Sequence, residues 1–465
     1  MSNKTEIPGV WSDEDAYGVY KRVVRLTNGG GQTAVRLHSR RIGTARWVRN
    51  RLSLAGDTQA VTVTITRRIN DSDASITTTC TDDVGLREAV QRAETAARVV
   101  EARHDNFLFD APLLPMLRPM LWSEHTVQET GASRAATAAK MMASAEAAGC
   151  LSAGTLQTTM DSHMTMTEKG IRRFYPETTV ECSLTVRNPQ KNASGWAGVN
   201  HYDIAKIDPQ ALAAIALEKC QQSASPQKIE PGRYTVILES QAMADLFAPL
   251  IGGPPGSENN LMSRPIAEMG IGPFGRPGGS RIGEYVIDRR LNVRSDPMDP
   301  DGGFVPFEEQ SGEPYQPVNW IDQGMLKELA YMYGYGVTRL NRGEGLPCPN
   351  SYRLTAAPGV PTANVAEMIA KTERGILVTR LYDVKVVFDP SVLCTGYTRD
   401  GVWFIEHGKI VRPVTNFRFR ESPLYVLNNL LDVGVPIRVY APGKSWVVPA
   451  IRAKDFLFVG TADAV

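Results

Sequence analysis

The clearest periodicity lies near the start of the chain, where Val61, Val63 and Ile65 alternate with threonine through AVTVTIT at residues 60–66. A period of two predicts a half-buried strand. NDSD at 70–73 then reads as a turn, and SITTTC as the hairpin partner. The period changes directly afterwards. Leu86, Ala89, Val90, Ala93, Ala96, Ala97 and Val100 recur every three or four residues, which predicts an amphipathic helix over one face of that sheet. ASRAATAAKMMASAEAAG at 132–149 predicts an alanine-rich helix stopped by Gly149. LQTTMDSHMTMT and TVECSLTV predict strands about a turn at Glu168-Lys169-Gly170. Asp208 and Pro209 supply an N-cap and a first-turn proline for a helix reaching about Gln222.

SASPQKIEPG at 223–232 has the composition of a linker, and beyond it strands and Pro/Gly turns dominate. The stretch 252–280, with GGPPG and GPFGRPGG, predicts a loop that is mobile or meets a partner. Two helices interrupt the β pattern. One runs from Asn364 to Gly375, with a capping box (Asn364, Glu367) and a glycine stop. The other opens at Ser422-Pro423, with Leu424, Leu427 and Leu431 on one stripe and Gly434 at its end. These patterns divide the chain into an N-terminal α+β domain (1–110), a middle α+β domain (111–230) and a β-rich, barrel-like C-terminal domain (231–465). The fold class is α+β.

Composition excludes some function classes. The 51 basic and 50 acidic residues among 465 nearly cancel, so no net charge draws the chain to nucleic acid or membrane. No apolar run approaches the roughly 18 residues of a membrane span. MSNKTEIPGVW at the start lacks the apolar centre of a signal peptide, so a cytoplasmic location is expected. The six cysteines are scattered, with no CxxC pair, and read as reduced thiols. Charge is uneven in one place: Lys21 to Arg51 holds nine basic residues and no acidic one. Arg40, Arg41, Arg46 and Arg49, with Trp47 as a stacking aromatic, make a candidate nucleic-acid patch. The preferred reading is a solvated strand surface balanced by acidic groups elsewhere, and nucleic acid is not the expected partner.

Local catalytic motifs are missing. No two of His38, His104, His125, His163, His201 and His407 are spaced as HExxH or another local metal pair, so each is expected at the surface or satisfied in the core. GGSRIG at 278–283 is not G-x-S-x-G, and TNGGGQT at 27–33 lacks the Lys-Ser/Thr of a phosphate cradle. Asp296, Asp299 and Asp301 in SDPMDPDGG suit Asp-Pro and Asp-Gly turns better than a calcium loop. Cys348 and Cys394 have no histidine near in sequence and are expected to be small buried hydrophobes.

Longer stretches carry a resemblance. TARWVRNRLSLAG, NASGWAG, PGRYTVILESQAMADLFAPL, IDQGMLKELAY, TERGILVTRLYDV, TGYTRDGVWFIEHGKIVRPVTNFRFRESPLYVLNN and VPAIRAKDFLFVG follow one another in an order similar to that of the TldD/PmbA (TldE) proteins. The resemblance implies a metallopeptidase system. Its TldD-like subunit carries a HExxxH helix, two histidines holding zinc and the glutamate acting as general base, with a cysteine near the C-terminus completing the set. Its TldE-like subunit has the same fold without those ligands. Laid on this chain, the HExxxH positions fall at Glu239, Ser240 and Ala244, and no histidine lies between His201 and His407. The cysteine position falls at Pro442-Gly443, and no cysteine follows Cys394. The expectation is therefore a TldE-like subunit with no catalytic set and no cofactor of its own. Zinc is expected in a HExxxH-containing partner, and the substrate is a peptide or amide. Val236 and Leu238 are expected on a buried strand face, with Ala242, Leu246 and Ile251 on a packing stripe. Two alternatives are a non-enzymatic DNA- or protein-binding modulator using residues 21–51, and a relocated hydrolase site around Glu239, Ser240 and Cys394.

Overall fold

The computed structural model describes residues 10–28, 30–100, 107–109, 113–251, 264–331, 346–349 and 351–462. Helix α1 (Asp13–Leu26) opens on a capping box between Ser12 and Asp15. Three strands follow, β1 (Gln32–Val48), β2 (Arg51–Ile69) and β3 (Ser72–Thr78), and then α2 (Asp83–Val99), capped by Asp82. After the single turn α3 (Glu124–Val127) comes the alanine-rich α4 (Gly131–Ala147). It ends where expected: Gly149 takes φ +67°, a left-handed conformation that favours glycine. β4 (Leu151–Thr167), β5 (Arg172–Asn188), β6 (Ala193–His201) and α5 (Pro209–Gln222) complete this half.

The six strands form one antiparallel sheet in the order β3-β2-β1-β4-β5-β6. β1 pairs with β2 on one side and β4 on the other, so a single sheet crosses the boundary expected near residue 110. Strand alternation gives the sheet two unlike faces. Val35, Leu37, Ala45 and Trp47 of β1 point to the same side as Met164, Leu156 and Cys182, and helices α1, α2, α4 and α5 cover that side. Arg36, His38 and Arg40 point the other way. This uncovered, polar face is the floor of the site described below.

The C-terminal half begins with β7 (Gly232–Leu238) and α6 (Ser240–Ile251), the strand and helix expected for residues 235–251. β7 pairs in parallel with Arg374–Phe388 and antiparallel with Ile451–Thr461. Phe417–Glu421 and Leu393–Glu406 continue the ring, which closes by pairing Leu393–Glu406 back to Arg374–Phe388, a closed barrel of five strands. Val236, Leu238, Ala242, Leu246 and Ile251 are all buried in the core that the barrel shares with α6, beside Phe404, Phe417 and Phe456. A second sheet of six short strands, including Leu291–Ser295, Val318–Asp322 and Ile437–Arg438, packs on the same core.

Two expected helices are shorter than the sequence suggested. Val365–Ala370 has the predicted capping box of Asn364 and Glu367, but Gly375 is not its stop. Gly375 lies in the strand Arg374–Phe388 beside β7, where an added Cβ would meet the Thr235 carbonyl oxygen at 2.6 Å. Close strand approach, rather than a helix end, explains this glycine. Pro423–Asn428 starts at Ser422 as expected, yet Leu431 belongs to the strand Leu430–Val433, drawn out by pairing with Ile451–Thr461. Of the predicted loop 252–280, residues 252–263, with GGPPG, lie outside the described residues.

Candidate functional site

A cavity of about 640 Å³ lies over the polar face of the six-stranded sheet and is closed by loops of the C-terminal half. Register explains its floor. His38 pairs with His163 and Arg40 with Asp161 across β1 and β4, and Asp161 pairs with Glu177 across β4 and β5. Charged side chains separated by more than a hundred residues thus stand side by side. The imidazole rings of His38 and His163 stack with centroids 4.7 Å apart. His38 Nε2 lies 2.7 Å from Asp161 Oδ1, which also accepts from Arg40 Nε at 2.6 Å. Arg40 Nη2 donates to Asp161 Oδ2 at 3.2 Å. His163 is placed between two carboxylates, Nε2 3.3 Å from Glu177 and Nδ1 2.6 Å from Glu309.

These contacts set the protonation states. Burial opposes charge on His163, yet Glu309 and Glu177 outweigh it and hold its pKa well above the ordinary value. Burial would raise Asp161, but hydrogen bonds from His38 and Arg40 keep it low. Glu308, beside this network, is pushed up to about 7 by burial, against the Ser311 N–H that donates to it at 2.7 Å.

The ligand atoms of His38, Asp161 and His163 lie within 4.8 Å of one another, the spacing of a metal site. The donor set does not fit zinc. Both His163 nitrogens face carboxylates, which favour the protonated ring over a lone pair for a metal, and Asp161 already accepts from Arg40 and His38. The expectation of scattered histidines missed this cluster. Its only sequence signal is alternation, Arg36-x-His38-x-Arg40 and Asp161-x-His163, the spacing of one strand face.

The positions expected to match the HExxxH motif, Glu239, Ser240 and Ala244, lie elsewhere. Glu239, at the start of α6, is bound by Lys219 Nζ at 2.6 Å, and its backbone N–H donates to Val378 O. Ser240 and Ala244 are buried, Ala244 in the barrel core. None of the three lines the cavity, whereas Ile251 at the end of α6 does. One carboxylate engaged by an ammonium, a buried hydroxyl and an alanine do not fit zinc either. Pro442 and Gly443, where the resemblance would put a cysteine, do line the cavity. Cys394 is buried in the barrel core with its thiol pushed up to about 12 by burial, so it is not assembled with Glu239 and Ser240 into a nucleophilic site. Cys348 lines the cavity, its Sγ 3.4 Å from the Tyr352 hydroxyl.

The basic run 21–51 is not one patch. Lys21, Arg22 and Arg25 lie on α1, Arg40 is paired with Asp161 and Arg41 with Asp57, and Trp47 is fully buried. Arg46 and Arg49 are exposed.

Residues 231–460 match the sequence profile of the PmbA/TldA metallopeptidase C-terminal domain. Among curated proteins, none matches the chain significantly. Solved structures share the fold over almost the whole chain. A proposed modulator of a DNA gyrase from Thermotoga maritima has a TM-score of 0.80 at 14% identity, covering 96% of this chain and 100% of that one. A proposed modulator of DNA gyrase from Bacteroides thetaiotaomicron has 0.77 at 16%, covering 97% and 99%. TldE from Thermococcus kodakarensis has 0.76 at 13%, covering 96% and 100%. No described helix is long and apolar enough to cross a membrane. With the family's C-terminal domain in sequence and its architecture throughout, the chain belongs to the TldD/PmbA (TldE) family.

Proposed function

We propose that this chain is the TldE-like, zinc-free subunit of a heteromeric metallopeptidase acting in the cytoplasm on small or unfolded peptides or peptide-derived amides. A partner bearing HExxxH supplies the metal and the attacking water. This chain supplies a wall of the substrate cleft, with its polar cavity facing the peptide. The observation that carries the reading is α6. The sequence resemblance puts the family's metal motif on this helix, where Glu239 is neutralised by Lys219 and Ser240 and Ala244 are packed away. A metal site requires three converging N, O or S ligands and an open position, and this helix offers none of that geometry. The cavity, with its paired charges and apolar walls, suits a ligand of mixed polarity such as a peptide.

The test is co-expression with a HExxxH-bearing relative. The expected result is a stable complex, zinc held by the relative alone, and peptide hydrolysis that needs both chains. Separate monomers, with full activity in the relative on its own, would sink the reading.

A further inference from the structure

The turn at residues 439–446 joins the short strands Ile437–Arg438 and Val447–Val448 and borders the cavity. It is fixed from two sides. Ala441 N–H donates to Asn200 Oδ1 at 3.0 Å, Asn200 Nδ2 donates to the Lys444 carbonyl at 2.6 Å, and Gly443 N–H donates to Glu181 Oε1 at 2.9 Å. From α6, Gln241 Oε1 accepts from Tyr440 N–H at 3.0 Å and Gln241 Nε2 donates to the Tyr440 carbonyl at 3.2 Å. A turn held by both the sheet and α6 presents its side chains in fixed positions.

Two of the side chains on this hairpin that line the cavity are cations, Arg438 and Lys444. Arg40 on the floor has Asp161, but neither of these has a carboxylate within ion-pair distance among the described residues. Arg438 Nη2 is buried with no acceptor among the described residues, and Nη1 has only a long contact, 3.4 Å, to Ser445 Oγ. Lys444 Nζ sits 5.0 Å from the ring centroid of Trp446. Burial depresses the pKa of both cations. Next to them, burial and then Arg438 push His201 down to about 4, so it adds no charge at neutral pH. Asp301 and Asp299 act on Arg438 only from beyond ion-pair distance, and a partly desolvated cation with no carboxylate in contact is unfavourable unless an anion completes it.

We propose that Arg438 and Lys444 form an anion subsite that takes the free C-terminal carboxylate of a short peptide. The planar guanidinium fork matches a carboxylate, and the ammonium adds a point charge. Elsewhere in the cavity Asp161, Glu177 and Glu309 are already engaged by Arg40 and His163, which leaves Arg438 and Lys444 for a ligand with one anionic end on a largely neutral body. Its volume lies within the range of small-ligand pockets, roughly 300–1,000 Å³. The inference rests on the reading of the cavity as a peptide cleft.

The test is fluorescence anisotropy on the full chain, with a fluorescein-labelled hexa-alanine peptide in two forms, C-terminal acid and C-terminal amide. The acid is expected to bind about tenfold more tightly, the scale of one charge-assisted contact set. Arg438→Gln and Lys444→Met should each abolish that preference and leave amide binding unchanged, with thermal unfolding confirming that each variant folds. Equal affinity for the two forms would overturn the subsite and leave the peptide cleft standing. Failure of both forms to bind would overturn both. Displacement of the acid peptide by micromolar inorganic phosphate would overturn the peptide assignment in favour of a free phosphate ligand.

Discussion

His163 joins the two halves of the molecule: it sits on β4, is nearly fully buried, and reaches Glu309 on a loop of the C-terminal half. Its folded pKa lies above the unfolded value of about 6.5. The stabilisation from its charged form is therefore complete below about pH 6.5 and is lost as pH rises through the folded value. His163→Gln should cost about 2 kcal/mol at pH 6, less the screening at the half-exposed Glu309, and flatten the decline above pH 7.5. Urea unfolding at pH 6, 7.5 and 9 checks this; parallel curves for the two proteins would refute it. Glu308 adds its own decline between about pH 4.5 and its folded value of about 7, but both proteins carry it, so the comparison between them isolates His163. At this scale the sequence was half legible. Val236, Leu238, Ala242, Leu246 and Ile251 were readable as core because periodicity reports burial directly. The His38–His163 stack was not, because spacing along the chain carries no information on which strands pair.

Local chemistry was legible where it acts locally. Caps at Asp208, Asn364 and Ser422 start helices as their side chains dictate, each accepting from a backbone N–H two or three residues on. Helix ends were less legible, because tertiary pairing decided them: Gly375 and Leu431 were taken up by strands of the barrel. Asn364→Ala removes the side-chain half of a reciprocal cap, the Oδ1 that accepts from Glu367 N–H, on a helix of only six residues, Val365–Ala370. It should lower stability by about 1 kcal/mol. Thermal or urea unfolding reads this directly, and no loss would mean that Met368, packed beneath the helix with Ile237 and Leu377, holds it unaided.

On the scale of the whole molecule, the α+β class and the barrel-like C-terminal half were visible in the order of periods, while the sheet that joins β1 to β4 was hidden by the helices lying between them. The closed ring has a kinetic consequence. β7 occupies the gap between Arg374–Phe388 and Ile451–Thr461, so Gly232 must wait for Phe458 to arrive from the other end of this half. The hairpins β1–β2 and β4–β5 have their partners close at hand in sequence. Closing long loops slows folding. Refolding should therefore populate an intermediate in which the N-terminal sheet is formed while β7 still exposes its buried side chains. Pulse-labelled hydrogen exchange should find amides of β1, β2, β4 and β5 protected before those of β7, and simultaneous protection would refute the order. Until the last stave is in place, Val236 and Leu238 face water on an unpaired strand. The barrel that in the finished protein has no free edge is, during refolding, the segment most exposed to aggregation and most in need of a chaperone.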